Sequence, residues 1–334
     1  MTFEARVAAI VLRRFTERQA RFLVTVMLHS GVCMVRQYCA FAGMVYGQTA
    51  RDFFGRLTTT HLATAFDCAH KRARIYHLHN RALYAAIGEP HTRLRKPTTL
   101  GRAIERIMLL DAILADRELT WLATERDKVT HFSLLLGSVL RRDEFPRLVF
   151  GTGRQATVRF FPDRLPIGLE PEGRGHVFVY LITRASPVDF RAFLQRHAEL
   201  LRALPHWTIR LLVPAHLAEA ADAYTATCEQ ELGAPLRPAV VDELRWYFEE
   251  HRRVAGGAAN ARPSDPERYA RVGRAFRAPR YRALYRTWTR VGPTALDDLT
   301  SPVLADALRR GTGRVERRML PRQYLHLFPL VGTA

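Results

Sequence analysis

The spacing of apolar residues changes part-way along this chain, and that change limits the folds it can adopt. In the first third apolar residues recur at helical spacing, as in Phe22, Leu23, Val26 and Met27. From Arg147 onward, short apolar runs are separated by Gly and Pro instead, which is typical of strands and turns. The pattern predicts an α+β multidomain protein, and 334 residues suffice for two or three domains.

The positive charge lies in the two ends of the chain. Residues 1–98 carry 15 basic and 5 acidic side chains, residues 99–235 carry 17 of each, and residues 236–334 carry 19 and 10. A neutral middle between two basic ends is expected of a protein that holds a polyanion at two places. Because nearly all the basic residues are arginine, which donates paired hydrogen bonds to phosphates, we expect DNA as the partner, with duplex DNA favoured.

Several other classes of protein are not indicated by the sequence. No apolar run approaches the 18 residues or so of a membrane span, so we expect a cytoplasmic protein with no membrane partner. The four cysteines show no CxxC spacing and are predicted to be buried thiols rather than metal ligands. No GxxxxGK[ST] loop or other nucleotide fingerprint is present, so no cofactor is predicted.

Residues 1–98 are predicted to form a winged helix-turn-helix domain. Helical patterns cover Glu17 to about Ser30, Val35 to Ala42 and Gln48 to Thr58. The extended runs Leu62 to Phe66 and Arg74 to Leu78 follow, joined by a basic tip, which indicates a β-hairpin. In a winged helix the third helix enters the major groove and the hairpin touches the DNA backbone.

This arrangement identifies the candidate DNA-binding residues of the first domain. Gln48, Thr49 and Arg51 lie in the first turn of the third helix, where side chains can reach base edges. The basic residues placed for phosphate contacts are Arg56, His70, Lys71, Arg72 and Arg74. Arg36 is a further candidate for DNA binding. The alternative is a winged helix that binds protein, with these residues simply solvated.

Three segments of this domain resemble a known family. They are Arg36-Gln37-Tyr38, the helix Arg51 to Leu57, and Arg74-Ile75-Tyr76-His77-Leu78 followed by Ala82-Leu83. They resemble the winged-helix part of replication-relaxation proteins, which belong to plasmids and integrative elements. The resemblance covers about a quarter of the chain and implies a DNA-binding factor that serves a mobile genetic element.

Residues 99–235 are predicted to form a linking helix and an α/β domain. The predicted elements are a helix at Leu100 to Leu119, strands at Leu148 to Phe150, Thr157 to Phe161, Leu165 to Leu169 and Val177 to Ile182, a helix at Val188 to Leu204, a strand at Thr208 to Val213 and a helix at Ala215 to Leu232. This order is similar to that of the PD-(D/E)XK nuclease fold, which members of the same family also resemble. An unrelated α/β fold stays open.

The nuclease-like domain is expected to be degenerate. Metal-dependent cleavage needs carboxylates on adjacent strands, and the strand Val177 to Ile182 has none. We therefore expect a restriction-endonuclease-like scaffold without a complete active site. The alternative is a metal-dependent nuclease that uses Asp163 with Glu170 or Glu172.

Residues 236–334 are predicted to be a helical, Arg-rich region. The segment Arg268 to Arg290 has arginine at about every third position and no acidic residue, so many guanidinium groups would share one face of a helix. The candidate DNA ligands are Arg271, Arg274, Arg277, Arg280, Arg282 and Arg286. The interleaved aromatic residues either stack on bases or fill a core beneath the arginines.

These observations predict a non-enzymatic DNA-binding protein of a mobile genetic element. Two contact regions on one chain raise the effective concentration of each at the DNA. The alternatives are the nuclease described above and an adaptor subunit, in which the neutral middle binds protein partners in a nucleoprotein complex. A homodimer is also left open.

Overall fold

The computed structural model describes residues 1–68, 73–151, 156–256, 262–322, 324 and 327. These residues form an α+β structure with thirteen α-helices and three β-sheets. Within these ranges, no helix combines the length and the apolar character needed to cross a membrane. The prediction of an α+β protein is therefore confirmed.

The N-terminal region contains five helices and a small sheet. Its elements are α1 (Phe3–Val11), α2 (Glu17–His29), β1 (Val32–Cys33), α3 (Val35–Ala42), α4 (Gln48–Thr59), β2 (Ala63–Asp67), β3 (Arg74–Leu78) and α5 (Arg81–Ala86). Both strand pairs are antiparallel, and the sheet order is β1-β3-β2. The three predicted helices and the hairpin are confirmed to within three residues at their ends.

Local chemistry explains where these helices begin and end. Thr16 and Gln19 form a capping box at the start of α2, which satisfies backbone N–H groups that have no partner inside the helix. Gly43 ends α3 in the left-handed conformation with φ of 63°, a conformation that glycine adopts without steric cost. The turn between α3 and α4 is thereby fixed in place.

The predicted linking helix is α6 (Leu100–Ala115), which ends four residues earlier than expected. It begins at Thr99, whose side chain accepts a hydrogen bond from the Arg102 N–H. Ile104 and Ile107 of α6 belong to one buried cluster with Val32 of β1 and Val177 in the middle of the chain. This helix therefore packs between the small N-terminal sheet and the next domain.

The middle of the chain alternates strands and helices. Its elements are β4 (Thr120–Leu122), α7 (Glu125–Leu136), β5 (Arg147–Phe150), β6 (Thr157–Phe160), β7 (Ile167–Leu169), β8 (His176–Leu181), α8 (Val188–Ala203), β9 (Trp207–Val213) and α9 (Ala221–Cys228). The four predicted strands from Leu148 to Ile182 exist, but they do not share one sheet. β5 and β6 pair only with each other and form a separate hairpin.

The C-terminal region is helical except for its last strand. Its elements are α10 (Pro238–Gly256), α11 (Pro266–Ala275), α12 (Pro279–Val291), α13 (Val303–Arg310) and β10 (Gly313–Met319). The basic segment from Arg268 to Arg290 is two helices rather than one, because Pro279 has no N–H to donate and starts a new helix.

The main sheet has the order β10-β9-β8-β7-β4. Its strands β8, β9 and β10 are parallel, whereas β7 and β4 run antiparallel to their neighbours. Val177 and Val179 of β8 face the cluster that contains α6, while Phe178 faces the cluster that contains α8. Burial on both faces explains why β8 is almost continuously apolar.

Strand β10 connects the predicted C-terminal region to the predicted middle domain, which were divided at residue 235. It pairs along its whole length with β9, from Gly313 opposite Trp207 to Met319 opposite Val213. A side chain at position 313 would overlap the Trp207 ring, so the close approach of the two strands requires glycine there. The basic C-terminal region thus supplies an edge strand to the middle sheet.

Candidate nucleic-acid interface

Helix α4 exposes a polar face at its N-terminal end. Ala50, Phe53, Phe54 and Leu57 are buried; the Phe53 ring lies 4.5 Å from that of Tyr38 and the Phe54 ring 4.4 Å from that of Tyr76, measured between centroids. These contacts hold the helix against α3 and β3. The opposite face consists of the exposed side chains of Gln48, Thr49, Arg51 and Asp52.

Two of these exposed residues are already paired with each other. The Gln48 Nε2 donates to Asp52 Oδ1 at 2.5 Å, so the Gln48 amide is oriented along the helix. Arg51 has no acidic partner within 4 Å among the residues that the structure describes. Its guanidinium is therefore the cation on this face available to an external anion.

Arg56, at the other end of α4, has an internal role. Its Nη1 donates to the Arg14 carbonyl at 2.7 Å and its Nη2 to the Arg13 carbonyl at 3.1 Å, and its guanidinium lies 4.2 Å from the Phe15 ring centroid. These bonds fix the chain after α1 against α4. Arg56 is thus partly withdrawn from the predicted phosphate contacts, although its charge is not neutralised.

The same contacts bring two further arginines beside α4. Arg13 and Arg14 are exposed, and neither forms an ion pair within the described ranges. The sequence analysis did not select them, because they stand more than thirty residues before the helix. The adjacent Arg-Arg pair at a helix end was the only available signal.

Of the four hairpin residues predicted to contact phosphates, Arg74 alone lies within the described ranges. His70, Lys71 and Arg72 lie outside the described residues. Arg74 donates from Nε to Asp67 Oδ1 at 2.8 Å across the two strands, with both side chains exposed. This carboxylate raises the pKa of Arg74 by accepting that hydrogen bond, so part of the Arg74 charge is balanced within the hairpin.

Arg36 is a correction to the predicted set. Both of its terminal nitrogens donate to the Asp111 carboxylate, at 2.8 and 2.7 Å, and Gln37 donates to the same carboxylate at 2.9 Å. The Tyr324 hydroxyl donates to Asp111 Oδ2 at 2.7 Å. Arg36 therefore joins α3 to α6, and the Asp111 carboxylate balances its charge.

The C-terminal helices present a basic outer surface. Four of the six arginines predicted as DNA ligands in this region are exposed and have no acidic partner within the described part of the chain, namely Arg274, Arg277, Arg282 and Arg286. Arg271 is also exposed but lies 3.7 Å from Glu243. We call the four unpaired residues the C-terminal arginine surface.

Arg280 is a second correction. Its Nη2 donates to the Ala234 carbonyl at 3.2 Å and its Nε lies 3.8 Å from Glu231. Only 12% of its side chain is exposed. Arg280 lies on the same side of α12 as Thr287, which donates to Gln195 of α8 at 3.1 Å. This side of the helix packs against the middle domain, so the Arg280 side chain points inward.

The aromatic residues of this region fill a core rather than an outer face. Phe276 and Trp288 are buried with Phe248 of α10, and Tyr281 and Tyr285 pack against them. Of the two alternatives left open by the sequence, core packing beneath the arginines is therefore the one observed. Phe276 and Trp288 are closed to base stacking because they are buried, whereas Tyr281 and Tyr285 are half-buried.

Two of the three acidic residues of the alternative nuclease hypothesis, Asp163 and Glu172, have basic partners. Asp163 accepts a hydrogen bond from Arg196 at 2.5 Å, and Glu172 pairs with Arg174 at 2.8 Å. In the described ranges no group of three or more His, Cys, Asp or Glu residues is placed to hold a metal ion. The arrangement around Asp163 is that of a half-buried ion pair with Arg196.

A buried lysine stands beside Asp163. Lys128 of α7 is 1% exposed, and its Nζ donates to the Leu165 carbonyl at 2.6 Å. Burial lowers the pKa of Lys128 to about 8, and the nearby Asp163 charge opposes that shift. The burial of Lys128 could not be predicted from the sequence, because a single lysine on an amphipathic helix is ordinarily solvated.

Comparison of the chain with protein-family models finds no match, and comparisons with curated proteins and with solved structures find none either. The function is therefore inferred from the residues of this chain and their geometry.

Proposed function

We propose that this chain is a DNA-binding protein whose residues 16–79 act as a winged helix-turn-helix. The observation that carries the proposal is the order helix, strand, helix, helix, hairpin, with β1 pairing beside β3. Helix α4 is the third helix of that order, and its exposed first turn carries Gln48, Thr49 and Arg51. Short polar and guanidinium side chains at that position suit base edges in the major groove.

Phosphate contacts are assigned to the basic residues around this helix. Arg13 and Arg14 are held beside the C-terminal half of α4 by the Arg56 bonds. From there they can reach the backbone that flanks a groove-bound helix, which positions the protein without reading sequence. Arg74 is a weaker candidate because Asp67 already accepts one of its hydrogen bonds.

The C-terminal arginine surface is a second backbone contact. Its four arginines are exposed on α11, on α12 and in the turn between them, beside a filled aromatic core. Unpaired guanidinium groups on a rigid support release counterions when they meet phosphates, which contributes affinity without sequence preference. The proposed protein thus reads bases at one end and grips the backbone at the other.

Catalysis is not part of this proposal. The association of Asp163 with Arg196 and the absence of a carboxylate from β8 support a scaffold role for the middle domain. A role in a mobile genetic element stays a prediction of the resemblance, and an adaptor function in a larger complex stays the alternative.

The experiment starts with selection of preferred duplexes from a randomised pool by the wild-type protein. Binding of the selected duplex is then measured for wild type, Arg51→Gln and a matched control, Arg245→Gln, whose arginine pairs with Asp242 at 3.2 Å. Loss of a bidentate base contact costs roughly 1–3 kcal/mol, so Arg51→Gln should weaken the selected duplex about 5- to 150-fold. The control should bind like wild type.

Each outcome has a defined meaning. If Arg51→Gln binds the selected duplex as tightly as wild type, α4 is not the reading helix and the proposal fails. If no duplex is enriched and binding does not depend on salt, the protein does not act through the DNA backbone. Including Mg²⁺ and resolving the DNA on a denaturing gel tests cleavage in the same samples.

A further inference from the structure

A second basic surface lines a cleft away from α4 and from the C-terminal arginine surface. Its walls are the segment 88–94 after α5, the start of α7 and the β5–β6 hairpin, and we call it the hairpin cleft. Its volume is about 1250 Å³, above the roughly 300–1,000 Å³ of ordinary small-molecule sites. The space suits an extended ligand.

Six exposed arginines line the hairpin cleft. They are Arg93, Arg102, Arg126, Arg142, Arg159 and Arg164. They lie on α6, α7 and β6 and in the segments that connect the elements. The site is therefore not visible in the sequence as a run of basic residues. None of the six has a carboxylate within 4 Å among the described residues.

The acidic residues of the cleft do not balance this charge. Asp163 is bound to Arg196 at 2.5 Å, and Glu125 accepts the Phe160 N–H at 3.0 Å. Glu89 lies 3.9 Å from Arg6. Each carboxylate therefore has a partner other than the six arginines, and the cleft keeps a large positive excess.

The arginines are close enough to repel one another. Burial lowers the pKa of Arg164, and the charges of Arg93 and Arg159 lower it further. Arg164 is held there by a turn in which both it and Phe161 adopt positive φ, 56° and 46°. Residues other than glycine rarely adopt a positive φ. The fold therefore holds these arginines together despite both charge repulsion and backbone strain.

Aromatic rings lie beside these cations on the hairpin. Phe150 is 54% exposed on β5, and the Arg142 guanidinium lies 5.1 Å from the ring centroid of Phe160 on β6. Exposed rings beside a phosphate-binding groove stack on bases, provided that the bases are unpaired. A duplex hides its base faces, whereas a single strand offers both faces and phosphates.

We propose that the hairpin cleft binds single-stranded DNA, with its phosphates on the six arginines and its unpaired bases against Phe150. This site goes beyond the duplex contact of α4 and does not depend on it. Together they describe a protein that holds a duplex and an adjacent unpaired strand.

The test measures binding of a labelled 15-nucleotide oligo-dT and of the selected duplex by fluorescence anisotropy. The test variant is Arg102→Gln/Arg159→Gln/Arg164→Gln. The matched control is Arg141→Gln/Arg147→Gln/Arg174→Gln, which removes three exposed arginines outside the cleft. Each single-strand phosphate contact contributes about 0.7 to the salt slope. The test variant should therefore lose a slope of about 2 and bind oligo-dT about 100-fold more weakly at 0.1 M salt.

Phe150→Ala provides an independent arm. Base stacking is worth about 1–3 kcal/mol, so this variant should bind oligo-dT at least about fivefold more weakly and keep its duplex affinity. Photocrosslinking of oligo-dT that carries 5-iodouracil should label the peptide containing Phe150. Thermal melting of every variant verifies that the fold is intact.

Three results would overturn the proposal. One is unchanged oligo-dT affinity in the triple variant. Another is an equal loss of oligo-dT and duplex affinity, which would mean that the cleft follows a duplex backbone. The third is an unchanged oligo-dT affinity of Phe150→Ala, which would mean that the cleft binds the strand through its phosphates alone and not through unpaired bases. Failure of Arg51→Gln to affect the duplex bears on α4 alone, so the two proposals fail separately.

Discussion

Substitution of Arg282 and Arg286 by glutamine tests the C-terminal arginine surface most directly. The two residues are four positions apart on α12, so they lie on the same side of the helix. Both are exposed, whereas Ala283, Leu284 and Trp288 on the opposite side are buried. The double variant removes two charges and leaves the core of the region untouched.

The expected magnitude follows from counterion release. Each phosphate contact on duplex DNA contributes about 0.9 to the slope of log affinity against log salt concentration. Two lost contacts lower that slope by about 1.8. Between 50 and 200 mM salt the wild-type affinity should therefore fall about 12-fold more than the affinity of the variant.

The assay is anisotropy of a labelled duplex over that salt series. A matched control is Arg245→Gln/Arg309→Gln, which removes the same charge from arginines paired with Asp242 at 3.2 Å and with Asp306 at 2.8 Å. The control should change the slope by much less than one contact, because those guanidinium groups are already neutralised. Equal slopes for the test variant and the control would refute the assignment of the surface.

Two further predictions concern the structural links around the candidate sites. Asp111→Asn should lower the free energy of unfolding, measured in urea, by about 2–3 kcal/mol, because it leaves the half-buried Arg36 without its counter-charge. The control is Asp242→Asn, at an exposed position, which should lower it by less than about 0.5 kcal/mol. Similar losses for the two variants would contradict the structural role of the Arg36–Asp111 pair. Lys128→Met should change the pH dependence of stability, because the unfolded chain holds the Lys128 proton up to about pH 10 and the folded chain only up to about pH 8. Between these values wild-type stability should gain about 1.4 kcal/mol per pH unit relative to the variant, and Lys96→Met, at an exposed position, is the matched control. Parallel pH profiles for wild type and Lys128→Met would mean that folding does not lower the Lys128 pKa.

The sequence predicted the N-terminal elements well because their signals are local. Gly43, the Thr16 capping box and the short extended run Arg74 to Leu78 each act within a few residues. Local signals also indicated that Gln48, Thr49 and Arg51 would be exposed, since they alternate with the buried Ala50 and Phe53. The ion pair of Arg36 could not be predicted from local signals, because its partner Asp111 is 75 residues away in the sequence.

Strand β10 and the hairpin cleft were missed for a related reason. The β10 sequence Gly-Arg-Val-Glu-Arg-Arg-Met is mostly charged, so it does not have the apolar character of a buried strand. It fits because β10 is an edge strand whose charged side chains find ion partners, such as Arg318 with Asp116 at 2.5 Å. Charged edge strands also discourage pairing with other chains. The arginines of the cleft are likewise brought together only by tertiary packing.

The link between the two basic ends determines how strongly the proposed contacts should cooperate. Helix α6 packs against both the small sheet and the main sheet, and Asp111 of α6 accepts hydrogen bonds from Arg36 and from Tyr324 near the C-terminus. Strand β10 then joins the C-terminal region to the main sheet through seven pairs with β9. Contact sites joined through packed structure lose little further freedom when the second site binds, whereas sites on a flexible linker lose much more. We therefore expect the α4 and C-terminal contacts to act together only on DNA that passes both surfaces at their fixed spacing.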